Sequence, residues 1–428
     1  MMSTFTAAAI IPAYLTIAKE FNVTVPQASY LTSLQIAILG GAPLFWRPLS
    51  NRFGRRPIWL LSTICSMVCN IGCAESHTYG SMAACRALVA FFISPAAAIG
   101  SAVVMETFFK HERAKYMGIW TVMVTLGVPV AGFIMGFVDY HLDLAWIYWL
   151  LAIINGVQFV LYIFFGPETR YLRQGVEHHG SSAKQEYWTF GRIDPTPLRF
   201  VDFVQPLAMV KHISVVLPAV AYSMVFLFSS ILITVEIPQL FAANFQFNAQ
   251  QLGLQFLGII VGSLIGEQLG GRMSDIWMRR RSKQLTAKQG RSTGPDPEWR
   301  LWLSYLGFLL AIAGLFIFLV KTEQAGKHWN ITPVIGAAVA AVGNQIVTTV
   351  LITYAVDCHQ EEAASVGVFI TFVRQIWGFI GPFWFPYMFD NVGLVASAGI
   401  GCALMVGCSI LPTLLLQFKG KAIRERLG

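Results

Sequence analysis

Charge is what this sequence has least of. Only 12% of its 428 residues are Asp, Glu, Lys or Arg, about half the share usual in soluble proteins. Hydrophobic residues make up 55%, and the mean hydropathy is +0.60. A water-soluble globule of this length could not cover its surface with so few charges, so the composition points to lipid as the solvent. Paired cysteines are lacking too. The seven cysteines include no C-x-x-C and no Cys/His finger, and Cys65, Cys69 and Cys73 recur every fourth residue like a packed helix face. The phosphate-cradling G-x-x-x-x-G-K-[ST] loop is absent, so energy must come from an ion or substrate gradient rather than from ATP through that machinery. His111-Glu112 lacks the second His of a zinc protease helix. The ligand types in Asp357-Cys358-His359-Gln360-Glu361-Glu362 are consecutive, and consecutive residues on a span end point different ways. No metal and no cofactor is therefore expected. With no nucleophile–base constellation, the chain does not read as an enzyme. Nor does a basic leader or a small-residue cleavage site make the first apolar stretch a signal peptide.

What is present is a series of apolar runs. Twelve helices of about 20 residues each would cross a bilayer, and twelve runs are found. They cover 1–18, 29–49, 58–74, 81–104, 116–138 and 143–165, then 213–239, 251–271, 301–320, 331–354, 362–387 and 394–417. Residues 166–212, rich in His, Pro and charges, separate six spans from six. The expected organisation is a first six-helix bundle over 1–165, a linker over 166–212, and a second bundle with a short tail over 213–428. Run 1–18 starts without a lead-in, so the natural N-terminus is expected to extend further.

The net charge of +8 is explained by placement. Twenty-five of the 30 Lys and Arg residues fall in the linker, the tail and the alternate connections on their side. Three, Lys19, Lys321 and Lys327, fall on the other side, and Arg86 and Arg374 lie inside spans. The positive-inside rule then puts both termini and the linker in the cytoplasm. Arg279-Arg280-Arg281 reads as a topology anchor rather than a nucleic-acid patch. Two sequons, at Asn22 and Asn330, fall in outer connections.

The halves repeat a motif. Leu49-Ser50-Asn51-Arg52-Phe53-Gly54-Arg55-Arg56 follows the second span, and Met273-Ser274-Asp275-Ile276-Trp277-Met278-Arg279-Arg280 follows the eighth. Each places a small polar pair, an aromatic residue and a double Arg at the same step. Duplicated halves of this kind are a transporter architecture.

These residues resemble the major facilitator superfamily and its loop signature G-x-L-a-D-r-x-G-r-r. Leu49, Ser50, Arg52, Gly54, Arg55 and Arg56 match it, and Gly271, Ser274, Asp275, Arg279 and Arg280 echo it. Arg86 is similar to the Arg of the family's second motif, and Gly127 to Gly136 to its Gly/Pro antiporter motif. With Trp146-Ile147-Tyr148-Trp149 and Pro167-Glu168-Thr169-Arg170, the chain most resembles the fungal twelve-span drug:proton antiporter group. It departs from the pattern at Asn51 for Asp and Arg47 for Gly, at Val89-Ala90 for Gln-Gly, and at Val128 and Phe133 for Gly and Pro. Asn51 still accepts a hydrogen bond but brings no charge to a helix dipole, which implies a weaker gate.

The resemblance implies an all-α polytopic membrane protein in which two bundles rock around a midplane cavity. The implied activity is export of small amphipathic molecules, drugs or secondary metabolites, against proton entry. The expected partners are the substrate, protons and the bilayer, without nucleic acid, and the working form is a monomer. The expected location is the plasma membrane, with the vacuolar membrane as the alternative. Arg86, Glu236 and Arg374 are the candidates for proton coupling, since ionisable groups inside spans are costly and a cation stabilises a neighbouring carboxylate. Polar and aromatic residues inside spans, Gln35, Trp120, Tyr222, Asn344, Gln345, Gln375 and Trp377, are the candidate cavity lining. Asn51, Arg52, Gly54, Arg55, Arg56, Asp275 and Arg279 are the candidate gate. Glu106, Glu267 and Asp357 lie at inner span ends, where structural ion pairs with the basic loops are the expectation. Gly258, Gly262, Gly266 and Gly270 form a ridge for close helix approach. Two rival readings are uptake of a cationic nutrient such as a polyamine, which the acidic Glu236 would suit, and a transporter-like membrane sensor, which the short tail argues against.

Overall fold

The computed structural model describes residues 1–107, 113–170, 193–194, 196–289, 296–359 and 362–427. Residues 171–192 and 195 of the expected linker, the loop holding Lys110, residues 290–295 and Gln360-Glu361 lie outside them. So does the side chain of Glu106. The regular structure among the described residues is helical, with no strand. That follows from the solvent: in hydrocarbon each backbone N–H and C=O must be satisfied within its own segment or a closed barrel.

The chain forms two compact units, Met1–Gln205 and Pro206–Gly428. The first contains α1 (Met2–Ala8), α2 (Tyr14–Glu20), α3 (Val25–Phe53), α4 (Arg55–Ala74), α5 (Tyr79–Ala97), α6 (Arg113–His141) and α7 (Leu144–Phe165). The second contains α8 (Ile213–Phe245), α9 (Ala249–Gln284), α10 (Pro297–Ala325), α11 (Thr332–Cys358) and α12 (Ala363–Ala422). Ten of these are long and apolar enough to cross a membrane. The 60-residue α12 is far longer than one crossing needs, and it turns at Gly393, whose φ of 77° only glycine adopts freely. With α1 and α2 forming one more crossing, each unit holds six.

Two expectations are corrected. The first span is not one helix. A 3₁₀ turn, Ile11–Ala13, separates α1 from α2, because Pro12 has no N–H to give and its ring clashes with the preceding turn. The basic segment after the eighth span is not a loop. Helix continues through a π turn, Leu269–Met273, into Ser274–Gln289. In the first half the chain breaks at Gly54, with φ 95° and ψ 173°. The matching position in the second half is Met278, which cannot take that backbone and is a good helix former.

Small residues set the packing in the second unit. A Cβ on Gly258, Gly262, Gly266 or Gly270 of α9 would run into Val334, Ala338, Val342 or Ile346 of α11. Both series advance by four, so the ridge keeps one register along two parallel helices. Gly314 and Gly343 play the same part between α10 and α11, where the backbones of Ala340 and Ala311 leave no room for a side chain. In the first unit Gly127 admits α1 against α6, and Thr4 Oγ1 donates to the Val124 carbonyl at 2.8 Å.

Candidate functional site

The first unit holds a buried cation without a carboxylate beside it. Arg86, 1% exposed, lies on α5. Its Nη2 donates to Gln35 Oε1 at 2.6 Å and to the Ala7 carbonyl at 3.3 Å, and Nη1 donates to the Tyr148 hydroxyl at 3.3 Å. Gln35 returns a bond from Nε2 to the Arg86 carbonyl at 3.3 Å. Ala7 sits in the last turn of α1, where helix carbonyls lose their partners and carry the negative end of the dipole. The break at Pro12 thus creates an acceptor that Arg86 uses. Of the expected residues, Gln35 joins Arg86; Trp120 does not, and packs its indole against Gly100. Tyr148, which the sequence analysis quoted without a role, is the missed member. Its signal is an aromatic hydroxyl inside a span, which needs a partner there.

The second unit holds a second cation in different company. Arg374 on α12 is partly exposed. Its Nη1 donates to the Tyr222 hydroxyl of α8 at 2.9 Å, and the guanidinium lies 4.6 Å from the Phe226 ring centroid and 5.7 Å from that of Tyr222. Among the described residues no carboxylate pairs with Arg86 or with Arg374. Glu236 on α8 is 1% exposed, and its Oε1 has no hydrogen-bond partner. It is buried inside the unit.

Gln345 and Glu267 form a close pair between α11 and α9, Nε2 to Oε2. Glu267 therefore bonds an amide rather than the basic segment. Asn344 Oδ1 and Gln375 Oε1 are buried without partners, whereas Trp377 is 37% exposed. Gln35 and Trp120 belong to the first unit, and Tyr222, Asn344, Gln345, Gln375 and Trp377 to the second.

The gate residues are better connected. Gly54 starts α4 and offers no side-chain cap. The cap comes instead from Glu168, just past α7. Its carboxylate accepts the N–H groups of Arg55 at 2.8 Å, Arg56 at 3.0 Å, Thr169 at 3.0 Å and Arg170 at 2.9 Å. In return Arg56 donates to the last carbonyls of α7, those of Tyr162, Ile163 and Gly166. Each of the two helix ends is thus closed by a side chain from the other's end, an acid at the positive terminus and a cation at the negative one. Arg55 reaches Ser50 Oγ at 2.6 Å. The sequence contained the signal, an acid at a span end facing a double Arg, but not the pairing.

Arg52 holds the C-terminal part of the linker. It pairs with Asp194 at 2.8 Å and Asp202 at 3.1 Å, while its carbonyl accepts the N–H of Ile193 at 2.9 Å. The Thr196 N–H and hydroxyl, then Arg52, hold the Asp194 carboxyl down at about 2. The Arg199 N–H and Arg52 lower Asp202 as well. Asn51 lines a cavity of about 170 Å³ with Arg47, Arg52, Arg170, Asp194 and Asp202. In the second unit Asp275 and Arg279 are exposed. Arg300 gathers that end: it lies 3.8 Å from Asp275 and 3.3 Å from Asp357, and donates to Ser274 Oγ at 2.7 Å.

The Major Facilitator Superfamily model matches residues 1–382. An uncharacterized transporter of Schizosaccharomyces pombe is 25% identical over 95% of the chain and 83% of its own length. A probable efflux pump, mfs2, of Aspergillus flavus is 23% identical over 97% of the chain and 98% of its own length. The crystal structure of the human organic anion transporter MFSD10 superposes with a TM-score of 0.64 at 16% identity, covering 97% of this chain and 96% of that one. At that identity the likeness shows the fold alone.

Proposed function

The chain belongs to the Major Facilitator Superfamily, and from that premise we propose that it exports small amphipathic molecules, drugs or secondary metabolites, in exchange for protons. Membership makes it a multi-pass membrane transporter and not an enzyme. The observation that carries the finer reading is Glu236. Its carboxyl is buried on α8, a helix long and apolar enough to cross a membrane, with one oxygen unpartnered. Within a bilayer such a group is costly to ionise unless water, a cation or a bound ligand reaches it. Proton uptake and release at Glu236 is therefore tied to whether its surroundings are open, which is the linkage that alternating access needs. Export as the direction is supported by relatives named efflux pumps. Uptake of a cationic nutrient is less favoured, because among the described residues neither Arg86 nor Arg374 has a carboxylate to offset its charge. The plasma membrane, with both termini cytoplasmic, is the setting in which a proton gradient drives export.

The test is transport in sealed vesicles with an imposed pH gradient. Flux should follow the gradient and collapse with a protonophore. Glu236→Gln should keep substrate exchange and lose the gradient dependence. Flux that ignores the gradient removes the antiport reading, and unchanged coupling in the variant shows that another acid carries the proton.

A further inference from the structure

We propose that Arg374 is the anchor for an acidic group on the substrate, so that the transported molecule is an amphipathic organic anion. The inference rests on the export reading and narrows its substrate class. Both spans that carry Arg pay for an embedded cation, but only one cation is used up by the protein. Arg86 is 1% exposed, and three acceptors on three helices take its terminal nitrogens. Arg374 has one acceptor, the Tyr222 hydroxyl at 2.9 Å, and among the described residues its Nη2 makes no hydrogen bond. It is also partly exposed. A guanidinium has five N–H donors in a planar fork suited to a carboxylate. Here the fork is held from one side by a hydroxyl and lies 4.6 Å from the Phe226 ring centroid, which fixes its plane without neutralising it. A neutral substrate would leave that charge uncompensated when the site closes. A cationic one would add repulsion. A carboxylate or sulfonate completes the fork, while the partly exposed Phe226 ring offers surface to an apolar body.

The probes are radiolabelled 2-naphthoate with 2-naphthamide and 2-naphthylmethylammonium as competitors, all on the same ring. Equilibrium binding is measured on the purified full chain in detergent, without any gradient. The acid should bind at least about tenfold more tightly than the amide or the ammonium, the order of a charge-assisted bond. Arg374→Gln should bring acid and amide to within about twofold. Arg374→Lys, which keeps the charge but not the fork, should fall between. Equal binding of acid and amide by the unaltered chain, preference for the ammonium, no detectable binding of the acid, or a preference that survives in Arg374→Gln would each overturn the proposal. The first three outcomes need no variant to fold. Acid-selective binding with gradient-independent flux would sink the proton reading alone. Gradient-driven flux without acid selectivity would sink this inference alone.

Discussion

Replacing Glu168 probes the exchange of helix ends in the first unit. Its carboxylate accepts four backbone N–H groups between 2.8 and 3.0 Å, two of them the first donors of α4. Gln keeps an acceptor oxygen but removes the charge facing the helix terminus and turns a donor toward donors. Losing charge at a partly buried helix end costs about 1–2 kcal/mol. Ala removes every acceptor, and since Gly54 has no side chain to cap with, the capping energy and the charge-assisted bonds are lost together, about 2–4 kcal/mol after allowing for partial exposure. In a unit of this size about 1 kcal/mol moves a melting point by roughly 2–4 °C. Glu168→Gln should lower the temperature at which the detergent-solubilised chain loses its monodisperse fraction by about 3–6 °C, and Glu168→Ala by about twice that. Two melting curves that coincide with the unaltered chain, or an Ala variant no worse than the Gln variant, would refute the capping role.

Gly54→Ala should be harsher than its size suggests, costing about 1–3 kcal/mol in backbone strain alone, because φ is 95° there and the new methyl meets the Glu168 carboxylate; yield and melting temperature report it. Gly262→Val should prevent the second unit from packing, since even a Cβ overlaps the Ala338 carbonyl, whereas Gly271→Ala, with open space around it, should be silent in the same size-exclusion profile. The Arg52–Asp194 contact should ignore mild acid. With Asp194 at about 2 in the folded chain and about 3.9 when free, its contribution is complete above the higher value and fades only as pH falls toward the lower. Limited proteolysis of the linker should therefore run at one rate from pH 5 to pH 8 after correction for the protease, and faster for Arg52→Ala; a rise between pH 8 and pH 5 would contradict the assignment.

Length, composition and apolar runs made the membrane class and the twelve crossings readable, because lipid leaves the backbone so few options. They also exposed the Gly ridge of α9, since a step of four along one helix needs no knowledge of its partner. What could not be read was anything decided by a partner. Pro12 lay inside a run read as one span, and nothing in the run said that the freed Ala7 carbonyl would be taken by Arg86. Glu168 stood beside the double Arg only once α7 had returned to α4. Arg300 looked like one more basic loop residue until Asp275 and Asp357 met on it. The second-half motif misled for a sharper reason: it copies the polar and basic positions of the first but puts Met278 where Gly54 bends the chain, and similarity at the charged positions hid the one residue that decides the backbone.

That exchange at position 278 lets α9 run on past its π turn as one long helix. At about 1.5 Å per residue, its 36 residues extend about 54 Å, against roughly 30 Å of hydrocarbon. Some 20 Å of it is thus more than one crossing needs, and the C-terminal end carries Arg279, Arg280 and Arg281. A tilt of a few degrees about the bilayer centre becomes a sweep of several ångströms at its tip. A spectroscopic label placed there would magnify the swing of its bundle during a transport cycle.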